Sequence, residues 1–367
     1  MDVTIKRSAF IKPLQAISGI VEKKQTMPIL SNVLLHIDQQ RVHLSATDLE
    51  IELIGHAPLE TVSAAGTATV SARKLFDICR ALPDEAMLNL SLKENYLALK
   101  SGDSCYRLST LPVQDFPRTE ESALPTQFIL RSQTLKNLLS KIYFAMGLQD
   151  VRHYLNGALF HIQQNAITCV ATDGHRLAIT THVNEQGNCP PLKIILPRKS
   201  VIELMRLLNS DEDKELMISV GEGRFRIIAP DFTFTSKLIN TQYPEYNKLI
   251  PRGAEVAIAN RENIRQALMR AAILCNEKFR GVRVQLEPGK LIIIANNTEQ
   301  EQAQEIVPIE YAGSAMDIGF NVTYLLDVFA SLSSEMVRCT FTDPNSGVLI
   351  ESPEGDGSRY VVMPMRL

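Results

Sequence analysis

Asp173-Gly174-His175-Arg176 is the stretch whose residue types could most readily do chemistry. An acid, an imidazole and a guanidinium lie within four residues, a set that a hydrolase or transferase could use. No nucleophile elbow and no metal-ligand spacing accompany them. The six cysteines, at 79, 105, 169, 189, 275 and 339, contain no CxxC pair. Reduced thiols fit that scatter better than disulfides or a zinc site, so neither a metal nor a cofactor is expected. A second unusual stretch is Met363-Pro364-Met365-Arg366-Leu367. Methionine beside proline offers a soft apolar surface that suits several short peptides, or else the filling of a last core strand.

The elements that position these residues occur three times. Val33-Leu35-Ile37, Ala158-Phe160-Ile162 and Val282-Val284-Leu286 alternate with more variable residues, about 125 positions apart. A second strand follows each, from Val42, Ile167 and Leu291, and runs into Thr47-Asp48, Thr172-Asp173 and Asn296-Asn297. Each repeat also shows two helical spacings: an early one such as Leu135, Leu138-Leu139 and Ile142, and a later one in which Leu75, Val201 and Leu325 coincide. Ser71, Pro197 and Asn321 stand where capping or first-turn residues belong. Alternating runs between turn residues read as antiparallel strands. The fold expected is α+β: three tandem modules, each of two helices on antiparallel sheets, at 1–120, 127–246 and 248–367. Proline-bearing connectors, through Phe116-Pro117 and Tyr243-Pro244, join them.

The turn in the middle copy stands apart. Repeat one reads Asp48-Leu49-Glu50-Ile51 and repeat three Asn297-Thr298-Glu299-Gln300, against Asp173-Gly174-His175-Arg176. That contrast favours a specialised binding wall on the middle module over catalysis.

Charge is segregated although the net charge is only −3. The helical segments 6–24, 73–80, 131–141, 198–206, 261–280 and 321–332 hold 19 basic and 6 acidic residues, and the remainder holds 19 against 35. Solvated helix surfaces would explain some of this skew. Helices facing a polyanion explain more, and duplex DNA would be attracted with no base readout. A module of this size has a diameter of about 35 Å; three in a ring leave a hole of about 5 Å, and six leave about 35 Å. Enclosing a duplex therefore calls for two chains joined head to tail. The start, Met1-Asp2-Val3-Thr4-Ile5, has no signal-peptide layout, and no apolar run approaches a membrane span, so a cytoplasmic protein without membrane contact is expected.

Gln149-Asp150-Val151-Arg152, Ala171 through Ala178, Asn276 through Gly281 and Tyr360 through Leu367 closely resemble the bacterial sliding clamp family, the beta subunits of DNA polymerase III. The resemblance spans the whole chain. It implies a six-module ring formed by a head-to-tail homodimer that encircles double-stranded DNA. Its partners would be the replicative polymerase alpha subunit, the clamp loader, and other polymerases and repair proteins, all through short peptides. The groove for those peptides would use Leu155, Thr172, Gly174, His175, Arg176, Leu177, Pro244, Leu249, Asn321, Tyr324, Val361, Met363, Pro364, Met365 and Arg366. DNA contact would fall to Lys24, Arg73, Gln149, Arg152, His153, Tyr154, Lys199 and Phe279. The protomers would meet through Tyr106 and Leu108 against Ile273 and Leu274, with Glu299, Glu301 and Glu305 facing Lys74 and Arg107. Family members often carry two tyrosines where this chain has His153-Tyr154, and can carry basic residues where it has Asp103 and Cys105. Two other readings stay open: an enzyme using Asp173, His175 and Arg176, and a scaffold that binds only proteins.

Overall fold

The computed structural model describes residues 1–21, 27–119, 123–184, 190–209, 212–221 and 223–366. Each repeat runs strand, helix, four strands, helix, three strands, and repeat one has an added short strand at Thr61–Ala64. The helices are α1 (Arg7–Ser18), α2 (Ala72–Ala81), α3 (Ser132–Ser140), α4 (Arg198–Leu207), α5 (Arg261–Ala271) and α6 (Val322–Ser331). Side chains stop the orphan amides at three helix starts: Ser71 accepts from Lys74, Asn260 from Asn263 and Asn321 from Thr323. Pro197 instead closes the strand before α4. Helix α5 is shorter than its charge pattern suggested, because the Asn276 side chain captures the amides of Lys278 and Phe279 and turns the chain.

Strand alternation does what the sequence pattern requires. Val33, Leu35 and Ile37 are buried, as are Ala158, Phe160, Ile162, Val282, Val284 and Leu286. Helix α1 packs on the strands Arg41–Thr47 and Ile51–Pro58, and α5 packs on Lys290–Asn296 and Gln302–Pro308. The other face of these strands is therefore turned away from the helices.

Sheets cross the repeat borders. The strand Ile51–Pro58 of repeat one pairs antiparallel with Phe232–Lys237 of repeat two, completing an eight-stranded sheet. Arg176–Val183 of repeat two pairs in the same sense with Ser358–Val362 of repeat three, completing another. A five-stranded and a four-stranded sheet remain, with Ser104–Ser109 and Gln302–Pro308 as edge strands. Packing follows the shared sheets: one compact unit is Met1–Gln133 with Glu203–Leu238, the other Thr134–Ile202 with Ile239–Leu367. The middle repeat thus contributes to both units.

The helices proper carry 12 basic and 4 acidic residues. The contrast is smaller than the sequence segments implied, because Lys6 and Arg131 fall on strands and Lys278 and Arg280 on the loop after α5. Several of the rest are paired within the chain, including Arg80 with Asp77 and Arg206 with Glu203. Cys79, Cys169, Cys275 and Cys339 are buried free thiols and Cys105 is an exposed one. Burial pushes Cys79 and Cys339 up to about 12, so both stay protonated at neutral pH. Cys189 lies outside the described residues. Among the described residues no helix is long and apolar enough to cross a membrane, and no cluster of His, Cys, Asp and Glu could hold a metal.

Candidate functional site

Asp173 is a turn former. The Thr172 hydroxyl donates to the Arg176 carbonyl at 2.6 Å and accepts from the Gly174 amide at 3.1 Å. One Asp173 carboxylate oxygen accepts the amides of His175 at 2.9 Å and Arg176 at 3.0 Å, and the other accepts Arg176 Nε at 3.1 Å. Repeat one builds the same turn. There Thr47 donates to Ile51 and accepts from Leu49, while Asp48 accepts from Glu50 and Ile51. A carboxylate shared between a turn and a guanidinium leaves neither oxygen aimed at a substrate. What distinguishes the middle copy is the residue at the tip, where φ is 76° for Leu49 and 89° for Gly174. Glycine takes the left-handed conformation without strain and removes the side chain that Leu49 projects.

Arg176 organises one side of the site. Its guanidinium donates to Asp327 of α6 and to the Phe144 carbonyl, and lies 4.5 Å from the Tyr324 ring centroid. The side chain is 11% exposed, and so many partners satisfy its donors. His175 is exposed and stacks on Tyr324, with centroids 6.0 Å apart and planes 20° from parallel. The Met363 amide donates to the His175 carbonyl at 2.8 Å, which brings the terminal segment alongside the turn. Met363 is 43% exposed. Burial raises the pKa of Tyr324 first, with Asp173 adding to it.

Beneath this surface lies an apolar floor. Leu159, Val170, Leu177, Ile179, Ile195, Leu349 and Val361 pack together with Tyr246, and Tyr154, Tyr243 and Ile250 close over them. Of the residues expected in the groove, Leu155, Thr172, Leu177 and Val361 are buried, and Gly174, His175, Pro244 and Leu249 are exposed. Asn321 and Tyr324 come from the start of α6. Pro364 and Met365 are half-buried and Arg366 is exposed.

The residues expected at DNA come from both units. Tyr154 is half-buried and packs edge-on against Tyr243, centroids 6.1 Å apart, beside the apolar floor. Arg152 is tied to Asp150 at 2.9 Å, and that guanidinium draws the carboxyl down to about 2. Gln149 is exposed and takes φ 55°, and His153 is exposed. Lys199 is half-buried in α4, and Arg73 is exposed in α2 beside Asp77 at 3.8 Å. Phe279 is 59% exposed. Lys24 lies outside the described residues.

At the expected subunit edge, Ile273 is 78% exposed, while Leu108 is buried on the edge strand Ser104–Ser109. Tyr106 and Leu274 are half-buried. Arg107 stacks 4.0 Å from the Tyr96 centroid, and Lys74 and Glu299 are exposed. Glu305 pairs with Arg270 of the same chain, and Glu301 accepts from the Asn297 side-chain amide.

Several contributors escaped the sequence reading. Asp327 and the Phe144 carbonyl hold Arg176 from 151 and 32 residues away. Gly347 gives Met363 room, since a Cβ there would lie 3.0 Å from the Met363 sulfur. The Asp343 to Gly347 turn composition was the available signal. The repeat-one copy of the site holds a cavity of about 110 Å³ crossed by the Glu50–Lys237 pair at 3.1 Å, so ionic contacts replace the middle copy's aromatic and methionine surface.

Family models of the DNA polymerase III beta subunit match three consecutive stretches: its N-terminal domain at residues 1–120, its central domain at 129–245 and its C-terminal domain at 247–366. The chain is 45% identical to the beta sliding clamp of Pseudomonas aeruginosa over 368 residues, covering all of both sequences. The crystal structure of the DNA polymerase III subunit beta from that organism superposes with a TM-score of 0.96 at 44% identity, again over the whole of both chains. A structure of the Pseudomonas aeruginosa sliding clamp bound to griselimycin gives 0.96 at 45% identity and the same full coverage.

Proposed function

The chain belongs to the DNA polymerase III beta-subunit family, the beta sliding clamps, and from that we propose that it acts in the cytoplasm as a head-to-tail homodimeric ring around duplex DNA. Such a ring confers processivity by enclosure, so each phosphate contact can stay weak enough for the protein to slide. As a family member it is a non-catalytic subunit of the polymerase complex.

Strand pairing is the observation that carries the ring. In both intramolecular junctions the third strand of one repeat's first half pairs with the last strand of the next repeat: Ile51–Pro58 with Phe232–Lys237, and Arg176–Val183 with Ser358–Val362. The third such strand, Gln302–Pro308, is an edge, and so is the last strand of repeat one, Ser104–Ser109. Applied once more, the same rule pairs these two edges between protomers, and two such contacts close the assembly. Ile273, Leu274 and Tyr106 would then lie at the seam.

Partner peptides would dock over the floor of Leu155, Leu177 and Val361, between the His175–Tyr324 stack and Met363. The polymerase alpha subunit and the clamp loader would compete for that surface. Arg73, Arg152, Lys199 and the neighbouring basic residues would face the duplex. The three modules at 1–120, 127–246 and 248–367 remain the units of this arrangement.

The decisive experiment loads the protein onto circular and linear DNA of equal length. Long retention on the circle with rapid loss from the linear form is expected. Equal loss from both, together with a monomeric mass at micromolar concentration, would rule out enclosure. For the groove, His175→Ala should lower the affinity of the polymerase's clamp-binding peptide; unchanged affinity would remove His175 from the site.

A further inference from the structure

The face turned away from the helices is covered in the first two repeats by the connector leaving each repeat. In repeat one, Val113 and Phe116 lie against Leu30 and Leu34. In repeat two, Tyr243 and Tyr246 lie over Leu159, Val170 and Leu177. Register identifies the same face in repeat three: the Leu159–Val170 pair corresponds to Arg283–Ile294, and Thr172–Leu177 to Asn296–Gln302. The chain starts along the same path there. The Met365 amide donates to the Gly319 carbonyl at 2.8 Å, as the Ile239 amide donates to Ile195 at 3.0 Å. A cavity of about 570 Å³ stands on this face, lined by Phe279, Arg283, Ile294, Asn296, Gln302, Met365 and Arg366.

We propose that this cavity is a second docking subsite, which takes an aromatic side chain from an extended, proline-bearing partner segment running past Met365 and Arg366. The chain's own solution to the same face names the occupant: Phe116-Pro117 in one repeat and Tyr243-Pro244-Glu245-Tyr246 in the next. An extended segment pre-set by proline loses little freedom on docking, and an aromatic ring removes the most apolar area from water per side chain. Arg366 favours an acidic neighbour, while Arg283 is already paired with Asp317 at 3.5 Å. The subsite goes beyond the groove reading and shares only Met365 and Arg366 with it.

A synthetic peptide with the sequence of residues 240–247 is the probe, titrated into the full-length protein with labelled isoleucine methyl groups. A saturable shift of the Ile294 methyl is expected, abolished when both tyrosines of the peptide become alanine and weakened at least fivefold by Phe279→Ala. Phe279 is largely exposed, so that variant should fold. No Ile294 shift at millimolar peptide, or a shift indifferent to the tyrosines, overturns the subsite. The titration is run at fixed protomer concentration, because Ile294 pairs with Gln304 on the strand of the proposed seam and also responds to self-association. Failure of the groove reading has a different signature, unchanged polymerase-peptide affinity in His175→Ala, and would leave the Ile294 response in place.

Discussion

At the tip of the middle repeat's turn, Gly174 holds φ 89°, and a Cβ there would sit 3.1 Å from an Arg152 guanidinium nitrogen. Gly174→Ala should cost roughly 1–2 kcal/mol from the backbone alone. Gly174→Asn tests the cause, since asparagine tolerates the left-handed region better. Thermal melts should show the alanine variant as the less stable; equal losses would assign the cost to the Arg152 contact. Arg176 makes a second, independent case. It bridges Asp173, Asp327 and the Phe144 carbonyl while nearly buried, so Arg176→Lys, which keeps the charge but loses the planar fork, should destabilise by about 2–3 kcal/mol. A double-mutant cycle with Asp327→Asn should give less than the sum of the single effects. Strict additivity would mean that the two side chains do not interact in solution. The tempting acid, histidine and arginine thus resolve into a turn, a stacking surface and a brace.

Strands rather than single residues create the pH response of the first unit. His36, His43 and His56 lie opposite one another on three adjacent strands, with the His43 and His56 rings 4.9 Å apart and their Nδ1 atoms at 3.0 Å. Asp38 holds His43 Nε2 at 2.8 Å, and Arg41 and Asp231 also act on His56. Burial, then the neighbouring His43 and Arg41, lower the pKa of His56 below its ordinary 6.5. Folding therefore prefers the neutral ring. That contribution is complete above the unfolded value and is lost as the pH falls through the lower folded one. Melting temperatures between pH 7 and pH 5 should fall more steeply for the wild type than for His56→Gln. Parallel profiles would show that His56 does not couple folding to protons.

Closure belongs to the whole molecule, and Ile273 is its most exposed apolar residue at the proposed seam. Ile273→Asp should weaken self-association at least tenfold, about 1.4 kcal/mol, in sedimentation experiments. Retention on circular DNA should fall with it; a dimer of unchanged strength would move the seam elsewhere. Reversing Arg73 and Lys199 to glutamate should leave the dimer intact while weakening DNA binding and flattening its salt dependence. An unchanged salt slope would take these two residues out of the phosphate contacts.

Much of this is legible in the sequence alone. The three repeats, the buried faces of their strands and the aberrant turn at Gly174 follow from alternation, spacing and a missing side chain, all of which act over a few residues. The basic helices were legible too, although their charge was overstated because segment ends fell on strands and loops. Tertiary structure alone decided which strand of one repeat meets which strand of the next, and so left two edges for closure. It also packed Tyr154 against Tyr243 and gave Arg176 its partners on α6 and at Phe144. The cavity over the third repeat belongs in the same class, because it brings Phe279, Ile294 and Met365 together. Each of these rests on contacts between residues far apart in the chain, where local periodicity carries no information and only the packed three-dimensional arrangement selects among the possible partners.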